Sequence, residues 1–368
     1  MSTAGSRPRT YEANTVLELG ARGKHRNAPF TLTGRTCVQS DGGGLWNEWT
    51  VAFDDGRQGF LAEAMGAFTL FFAGPIAPPF EALVVGKSLD SGLTPSPSFV
   101  VVERGQATRI AHWGDVPVAP RTYRYADLSS ASGESATIDY GSAELSKAVH
   151  CEADVFVGRK MRLAELGLKP RASTNVSPPR FLAAPGGPPP KGLELWLAVG
   201  DEGELGTGNA RARFRVIGIT QRSIRIEGER YTWEEYVLHA PSEGLRWLVV
   251  SDGHWNLVES VEAGQVEESK RGATYDGEVY TPWSSGKARL EWATGELPWE
   301  AAVGDVVQAR DYVRAPYMLS RESSEDEINW SRGTYTPPDA IARAFGKRVL
   351  PKPTGRAPNQ PKIPKRSP

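Results

Sequence analysis

A chain of 368 residues with 39% hydrophobic and 24% charged residues can build real cores, so wholesale disorder is excluded. Its formal net charge of -1 lacks the basic footprint of a nucleic-acid binder. With 39 glycines, 28 prolines and 11 tryptophans, and few long Ala/Leu/Glu/Lys runs, the composition favours short strands and turns over helices.

Residues Met1 to Tyr11 are polar and carry no apolar signal core. Residues 1–13 are read as disordered. The most apolar run, Ala67 to Phe72, stops at Gly74-Pro75 and is far shorter than the roughly 20 residues that span a bilayer. The expected location is therefore the cytoplasm.

From Asn14 onward an internal repeat is visible. Phe30-Thr31-Leu32-Thr33-Gly34 is matched by Phe214-Arg215-Val216-Ile217-Gly218. Trp46-Asn47-Glu48-Trp49 is matched by Trp233-Glu234-Glu235-Tyr236, and Asp55-Gly56 by Glu243-Gly244. Phe60-Leu61 then pairs with Trp247-Leu248, and Gly66-Ala67-Phe68 with Gly253-His254-Trp255. Further on, Gly133-Glu134 is set opposite Gly295-Glu296. Landmarks in one order at similar spacing define two modules, residues 14–168 and 192–350. Between them, residues 169–191 hold Ser177-Pro178-Pro179 and Pro185-Gly186-Gly187-Pro188-Pro189-Pro190, a semi-extended linker composition. Pro337-Pro338-Asp339 can open a short helix with Ile341, Ala344 and Phe345 on one face. Residues 351–368 carry Lys352, Arg356, Lys362, Lys365 and Arg366 without acids and are read as a disordered basic tail.

Side chains alternate faces along a strand. Trp49, Val51 and Phe53 share one face, as do Tyr236 and Leu238, and that face reads as core. The other face twice places a tryptophan two residues before a carboxylate, Trp46 with Glu48 and Trp233 with Glu235. Two readings follow. In the structural one the tryptophan closes one end of a barrel and the glutamate accepts hydrogen bonds. In the functional one the indole is a flat apolar surface and the glutamate fixes a polar or cationic ligand group. Glu63, just past Phe60-Leu61, favours the first copy for such a site, because its counterpart region in the second copy is Val249-Val250-Ser251.

Catalytic and cofactor signatures do not emerge. Cys37 and Cys151 belong to no CxxC pair; each reads as a small buried residue, with a disulfide between them left open. The five histidines lack metal-ligand spacing. His150 and Cys151 are adjacent, so on a strand they point apart and make no dyad. Gly86-Lys87-Ser88 resembles the end of a phosphate loop, but the required glycine is Glu81. No cofactor and no metal is expected. Arg211, Arg213, Arg215, Arg222 and Arg225 cluster in the second copy and read as a solvated, guarded edge.

Taken together, the Gly-ending strand, the W-x-E-W/Y strand, the turn and the aromatic-leucine pair resemble a bacterial family known as domain of unknown function 4178. Gly295-Glu296-Leu297-Pro298-Trp299, Glu327-Ile328-Asn329-Trp330 and Gly333-Thr334-Tyr335 are similar to its later part. Many members carry an N-terminal zinc ribbon, which this chain lacks. The resemblance implies a membrane-associated or envelope-stress role and lends no catalytic residue.

The expectation is an all-β protein of two tandem modules, each a small SH3-like barrel followed by a second β half, with one short C-terminal helix. Function is expected to be non-enzymatic binding or scaffolding of a protein partner, with peripheral membrane contact through the basic tail. The alternative is a small-ligand binder or enzyme using Trp46, Glu48 and Glu63 in the first copy, with Trp233 and Glu235 as the second-copy counterpart.

Overall fold

The computed structural model describes residues 15–74, 77–89, 98–142, 153–171, 182–206, 211–241 and 243–362. The expected disordered N-terminus, the His150-Cys151 pair and the middle of the Pro-rich linker lie outside these residues.

The first module contains β1 (Arg22–His25), β2 (Ala28–Ser40), β3 (Leu45–Phe53), β4 (Gln58–Ala64), β5 (Ala67–Ala73), β6 (Ser88–Leu89), β7 (Phe99–Gly114), β8 (Thr122–Ser130), β9 (Glu134–Asp139) and β10 (Asp154–Met161). A short strand β11 (Leu182–Ala183) follows and pairs with the second module. That module contains β12 (Glu202–Leu205), β13 (Ala212–Ile226), β14 (Glu229–Ala240), β15 (Gly244–Ser251), β16 (His254–Val261), β17 (Glu267–Ser269), β18 (Gly272–Tyr275), β19 (Glu278–Leu297), β20 (Val306–Arg314), β21 (Tyr317–Ser323) and β22 (Ile328–Thr336). The helix α1 (Pro338–Ala344) closes the order.

Many of these strands are joined by two-residue hairpins. Arg26-Asn27, Met65-Gly66, Glu227-Gly228, Asp252-Gly253 and Asp276-Gly277 all have both residues at positive φ. This is the turn whose twist matches that of the flanking strands.

Each module closes into one eight-stranded ring. In the first, the order β2-β3-β4-β5-β10-β9-β8-β7 returns to β2 through the β2–β7 pairing. In the second, β13-β14-β15-β16-β22-β21-β20-β19 returns to β13. The SH3-like barrel and the second β half expected in each module are thus the two halves of a single closed barrel.

The rings agree in register as well as order. The shift between Leu32 and Gly34 recurs between Val216 and Gly218. Those at Cys37/Val38 and Val101/Glu103 recur at Gln221/Arg222 and Pro282/Ser284. This register corrects one alignment: Gly295 faces Gly218 as Gly114 faces Gly34, so its counterpart is Gly114 and not Gly133.

Apolar clusters cover the face that carries Trp49. In the first module Phe30, Leu32, Trp49, Val51, Leu61 and Leu70 pack under Leu17, Leu166 and Leu168. In the second, Phe214, Tyr236, Leu248 and Trp255 pack with Ile341 and Phe345 of the helix region. The segment from Pro351, expected to be disordered, instead packs through Lys362. Asn359 is fully buried and donates to Asn256 Oδ1 (2.7 Å) and to the Pro316 carbonyl (3.1 Å), which outweighs its polar, Pro-rich composition.

The barrels dock on each other through backbone close to backbone. The Gly264 N–H donates to Ser129 Oγ (3.3 Å), and a Cβ at Gly264 would lie 2.4 Å from the Ser129 carbonyl oxygen. A Cβ at Gly66 would lie 2.5 Å from Gly244 Cα. Val85 and Val102 of the first barrel pack on the second barrel's cluster of Tyr312, Leu319, Ile328 and Trp330. Replacing Gly264 by Val is expected to force the barrels apart at a cost of about 1–3 kcal/mol. Scanning calorimetry should then resolve two unfolding transitions at lower temperature, with each barrel's strand content retained; one unchanged transition would refute the tight contact.

Candidate functional site

Strands β3 and β8 are separated in the ring by β2 and β7, so their side chains meet only across its inward face. They do meet: the Tyr123 hydroxyl donates to Glu48 Oε1 (3.3 Å). Trp46, Glu48 and Thr50 therefore point inward, and Trp49 points to the opposite face. The bulge at Gly34 puts Thr36 opposite Glu48 and Val38 opposite Trp46 on that inward face.

The tryptophan-glutamate motif forms the same local bond twice. Trp46 Nε1–H donates to Glu48 Oε1 at 3.1 Å, and Trp233 Nε1–H to Glu235 Oε1 at 2.7 Å. Two residues apart on one face of a strand, an indole N–H and a carboxylate reach each other without help from the backbone.

Glu63 lies elsewhere. It pairs with Asn47 in the ladder, hence shares the Trp49 face. Its carboxylate accepts from Thr15 Oγ1 (2.6 Å), the Val16 N–H (3.0 Å) and Trp49 Nε1 (2.9 Å). It ties the N-terminal segment down over the apolar cluster and does not converge with Trp46 and Glu48. Burial pushes its pKa up, against the hydrogen bonds from Thr15 and Trp49. In the second copy the position is Val250, and the equivalent segment is held instead by the Tyr236 hydroxyl, which accepts from the Trp196 N–H (3.0 Å).

Sequence reasoning missed the partners that complete the inward cluster. In the first barrel Arg109 on β7 pairs with Asp139 on β9 at 2.7 Å, with side chains only 10% and 17% exposed. The guanidinium lies 3.8 Å over the Tyr123 ring and is the leading charge opposing the burial that raises the Glu48 pKa. In the second barrel Arg222 on β13 pairs with Glu322 on β21 (2.6 Å) and approaches Glu235 (3.5 Å). Burial works against its charge, but Glu235 and Glu322 more than offset this and raise its pKa. Thr220 donates to Glu235 (3.0 Å) from the position equivalent to Thr36.

The registers make these clusters equivalent, with one exchange. Asp139 faces Tyr125 as Glu322 faces Ala309, so the two acids occupy one position. Val38 faces Arg109, whereas Arg222 faces Leu290. The same cross-strand pair thus holds one arginine and one aliphatic residue in both barrels, with the strands swapped. A further acid recurs as Asp127 and Asp311; Ser284 and Ser320 donate to Asp311 at 2.6 and 2.7 Å. Burial raises the pKa of both.

Of the expected arginine edge, Arg211 and Arg213 do sit outside, paired with Glu204 and Glu202, while Arg222 is drawn inward. Cys37 is a buried free thiol whose pKa burial lifts to about 11. Among the described residues no group of three or more His, Cys, Asp or Glu is placed to hold a metal ion. A shallow groove at Leu182, Ala183, Pro185 and Glu300 to Val303 borders none of the five predicted site residues.

Two copies of one closed barrel, each with an inward arginine paired to the acid on β9 or β21, define the class of protein. Residues 199–338, from just before β12 to the start of α1, match the family model described as Domain of unknown function (DUF4178). The match spans the second barrel, and the first barrel shares that barrel's strand order and register shifts. No curated protein and no solved structure matches the chain.

The exchanged arginine yields a direct test. Arg109→Leu leaves inward carboxylates without their cation and is expected to cost about 3–5 kcal/mol in chemical denaturation. Adding Val38→Arg recreates the second barrel's arrangement and should return more than about 1 kcal/mol of that loss. Additive losses in the double variant would refute the equivalence.

A second test uses pH. Glu103 sits between the barrels, beside Asp127 and Glu327, and accepts a hydrogen bond from Tyr125. Burial, then Asp127 and Glu327, raise its pKa above 4.5. The folded state therefore binds more protons than the unfolded one, and stability is lost as pH rises from that ordinary value toward neutrality and beyond. Glu103→Gln should flatten this decline in denaturation midpoints measured across that range.

Proposed function

We propose that this chain is a non-enzymatic binding or scaffold protein that acts on a protein partner through the outer surfaces of two docked barrels. The observation that carries the reading is that the repeated inward polar set is occupied by itself. Trp46, Glu48, Trp233 and Glu235 on the inward faces, and Glu63 on the opposite one, all make hydrogen bonds within the chain, and each barrel's arginine is matched by its own acids. A ligand site offers donors and acceptors that await a partner. Networks satisfied internally favour one rigid arrangement instead.

Cytoplasmic location with peripheral membrane contact belongs to the same proposal. Lys352, Arg356 and Lys362 are exposed on a segment that Ala357 and Asn359 anchor to the second barrel. Three cations near an anionic surface contribute roughly 1 kcal/mol each, enough to supplement binding and not to cause it. Among the described residues, no helix is long and apolar enough to cross a membrane.

Cross-linking in the native host, read by mass spectrometry, should recover the same protein partner in independent preparations, with linked residues on the barrel exteriors. Native mass spectrometry should show no small molecule retained by the purified chain. A ligand retained by the wild type and lost in Glu48→Gln would replace this reading with the ligand-binding one.

A further inference from the structure

We infer that the edge of the second barrel around Trp283 is a self-association surface, filled head to tail by the first barrel of a second copy of this chain. The inference stands apart from the binding role above, since a monomer could still serve a different partner.

The argument starts from the register shift in β7 and its counterpart in β19. Val101 and Glu103 flank Val102 as Pro282 and Ser284 flank Trp283, so Val102 and Trp283 are equivalent extra residues on equivalent strands. Their surroundings differ. The first barrel's edge is covered by the second barrel: the Arg104 N–H donates to the Asp326 carbonyl (3.0 Å), Glu103 bridges to Glu327, and Val102 packs on the cluster containing Ile328. On the second barrel no barrel among the described residues covers the same edge. Thr281, Pro282 and Ser285 are exposed, Val279 is 62% exposed, and Trp283 is 62% exposed.

A tryptophan left in water at an edge whose twin is partly covered forgoes a large apolar area, and interface energy concentrates in such residues. The internal contact indicates what covers it. The first edge is filled by a barrel of the same architecture, through a contact that is not symmetric. An asymmetric contact of this kind can be repeated between copies, which would join the second barrel's edge to the first barrel's counterpart of the Ile328 position in an open head-to-tail array.

Residue size fits that pairing. Within the chain, Val102 packs on the cluster that holds Ile328. Strand register makes Val155 the counterpart of Trp330, which places Ala153 at the position of Ile328. The larger Trp283 would therefore meet the smaller Ala153, which conserves volume across the contact. Pro282 and the bulge break the ladder on this edge, so the contact is made by side chains and does not extend a sheet.

Sedimentation velocity of the full chain over a wide range of concentration tests this. The wild type should associate reversibly. Trp283→Ala, at an exposed position, should keep the far-ultraviolet spectrum and weaken association by about thirtyfold, the size expected of an interface hot spot. Ala153→Glu, at a half-buried position beside the Phe99 cluster, should weaken it comparably while the far-ultraviolet spectrum is kept. A wild type that stays monomeric throughout overturns the inference, as does association that survives Trp283→Ala. Association lost in Trp283→Ala but unchanged in Ala153→Glu overturns the head-to-tail arrangement, because the edge would then meet its own copy symmetrically.

Discussion

Ring closure is the constraint from which the other features follow. Strand β2 must serve β3 on one side and β7 on the other, and β13 does the same for β14 and β19. Once both sides are paired, a side chain at the middle of β3 is largely withdrawn from bulk water on the inward face, Glu48 being half-buried and Glu235 buried. The glutamate of the tryptophan-glutamate motif sits there. An isolated carboxylate in such a place is costly, so a cation has to be supplied on the same face. Closure thus turns a local strand motif into a requirement on strands far away in sequence.

That requirement is met by geometry and not by sequence position. An arginine side chain is long, and its planar donors bridge two acids. It can start from either strand of the closing pair and still deliver its guanidinium between the motif glutamate and the acid on β9 or β21. The first barrel uses β7 for it and the second uses β13. The acid at the far end is also interchangeable, Asp139 in one and Glu322 in the other, because the shorter side chain is compensated by which strand the arginine comes from.

This explains what the sequence could and could not reveal. The strands, the tandem order and the short helix were legible because they rest on local patterns: alternating faces, turn glycines and aromatic landmarks. The pair Trp46-Glu48 was legible because its bond is two residues long. Arg109 and Arg222 were not, since a search for matched arginines fails when the matched quantity is a cross-strand pair. Glu63 misled for the opposite reason. It lies near Glu48 in sequence and on the neighbouring strand, but one position of register places it on the other face, where it holds Thr15 and Val16. The tail misled because composition reports the cost of ordering a segment and says nothing of a single well-made contact such as Asn359 with Asn256.

Duplication and docking then act on different surfaces. The inward clusters are alike because each barrel must solve the same electrostatic problem. The edges differ because only the first is used within the chain: the first carries Val102, Glu103 and Arg104 against Glu327 and Asp326, and the second carries Trp283, Ser284 and Ser285. Glu103 is costly where it is, beside Asp127 and Glu327, and Ser284 at its equivalent carries no charge. A charged residue is tolerated at the covered edge because Tyr125 donates to it and the neighbouring barrel fixes its surroundings. At the uncovered edge the hydroxyl of Ser284 serves Asp311 instead, which leaves Trp283 as the feature presented outward. The two barrels therefore share an interior set by closure, while their exteriors have been set by what each one touches.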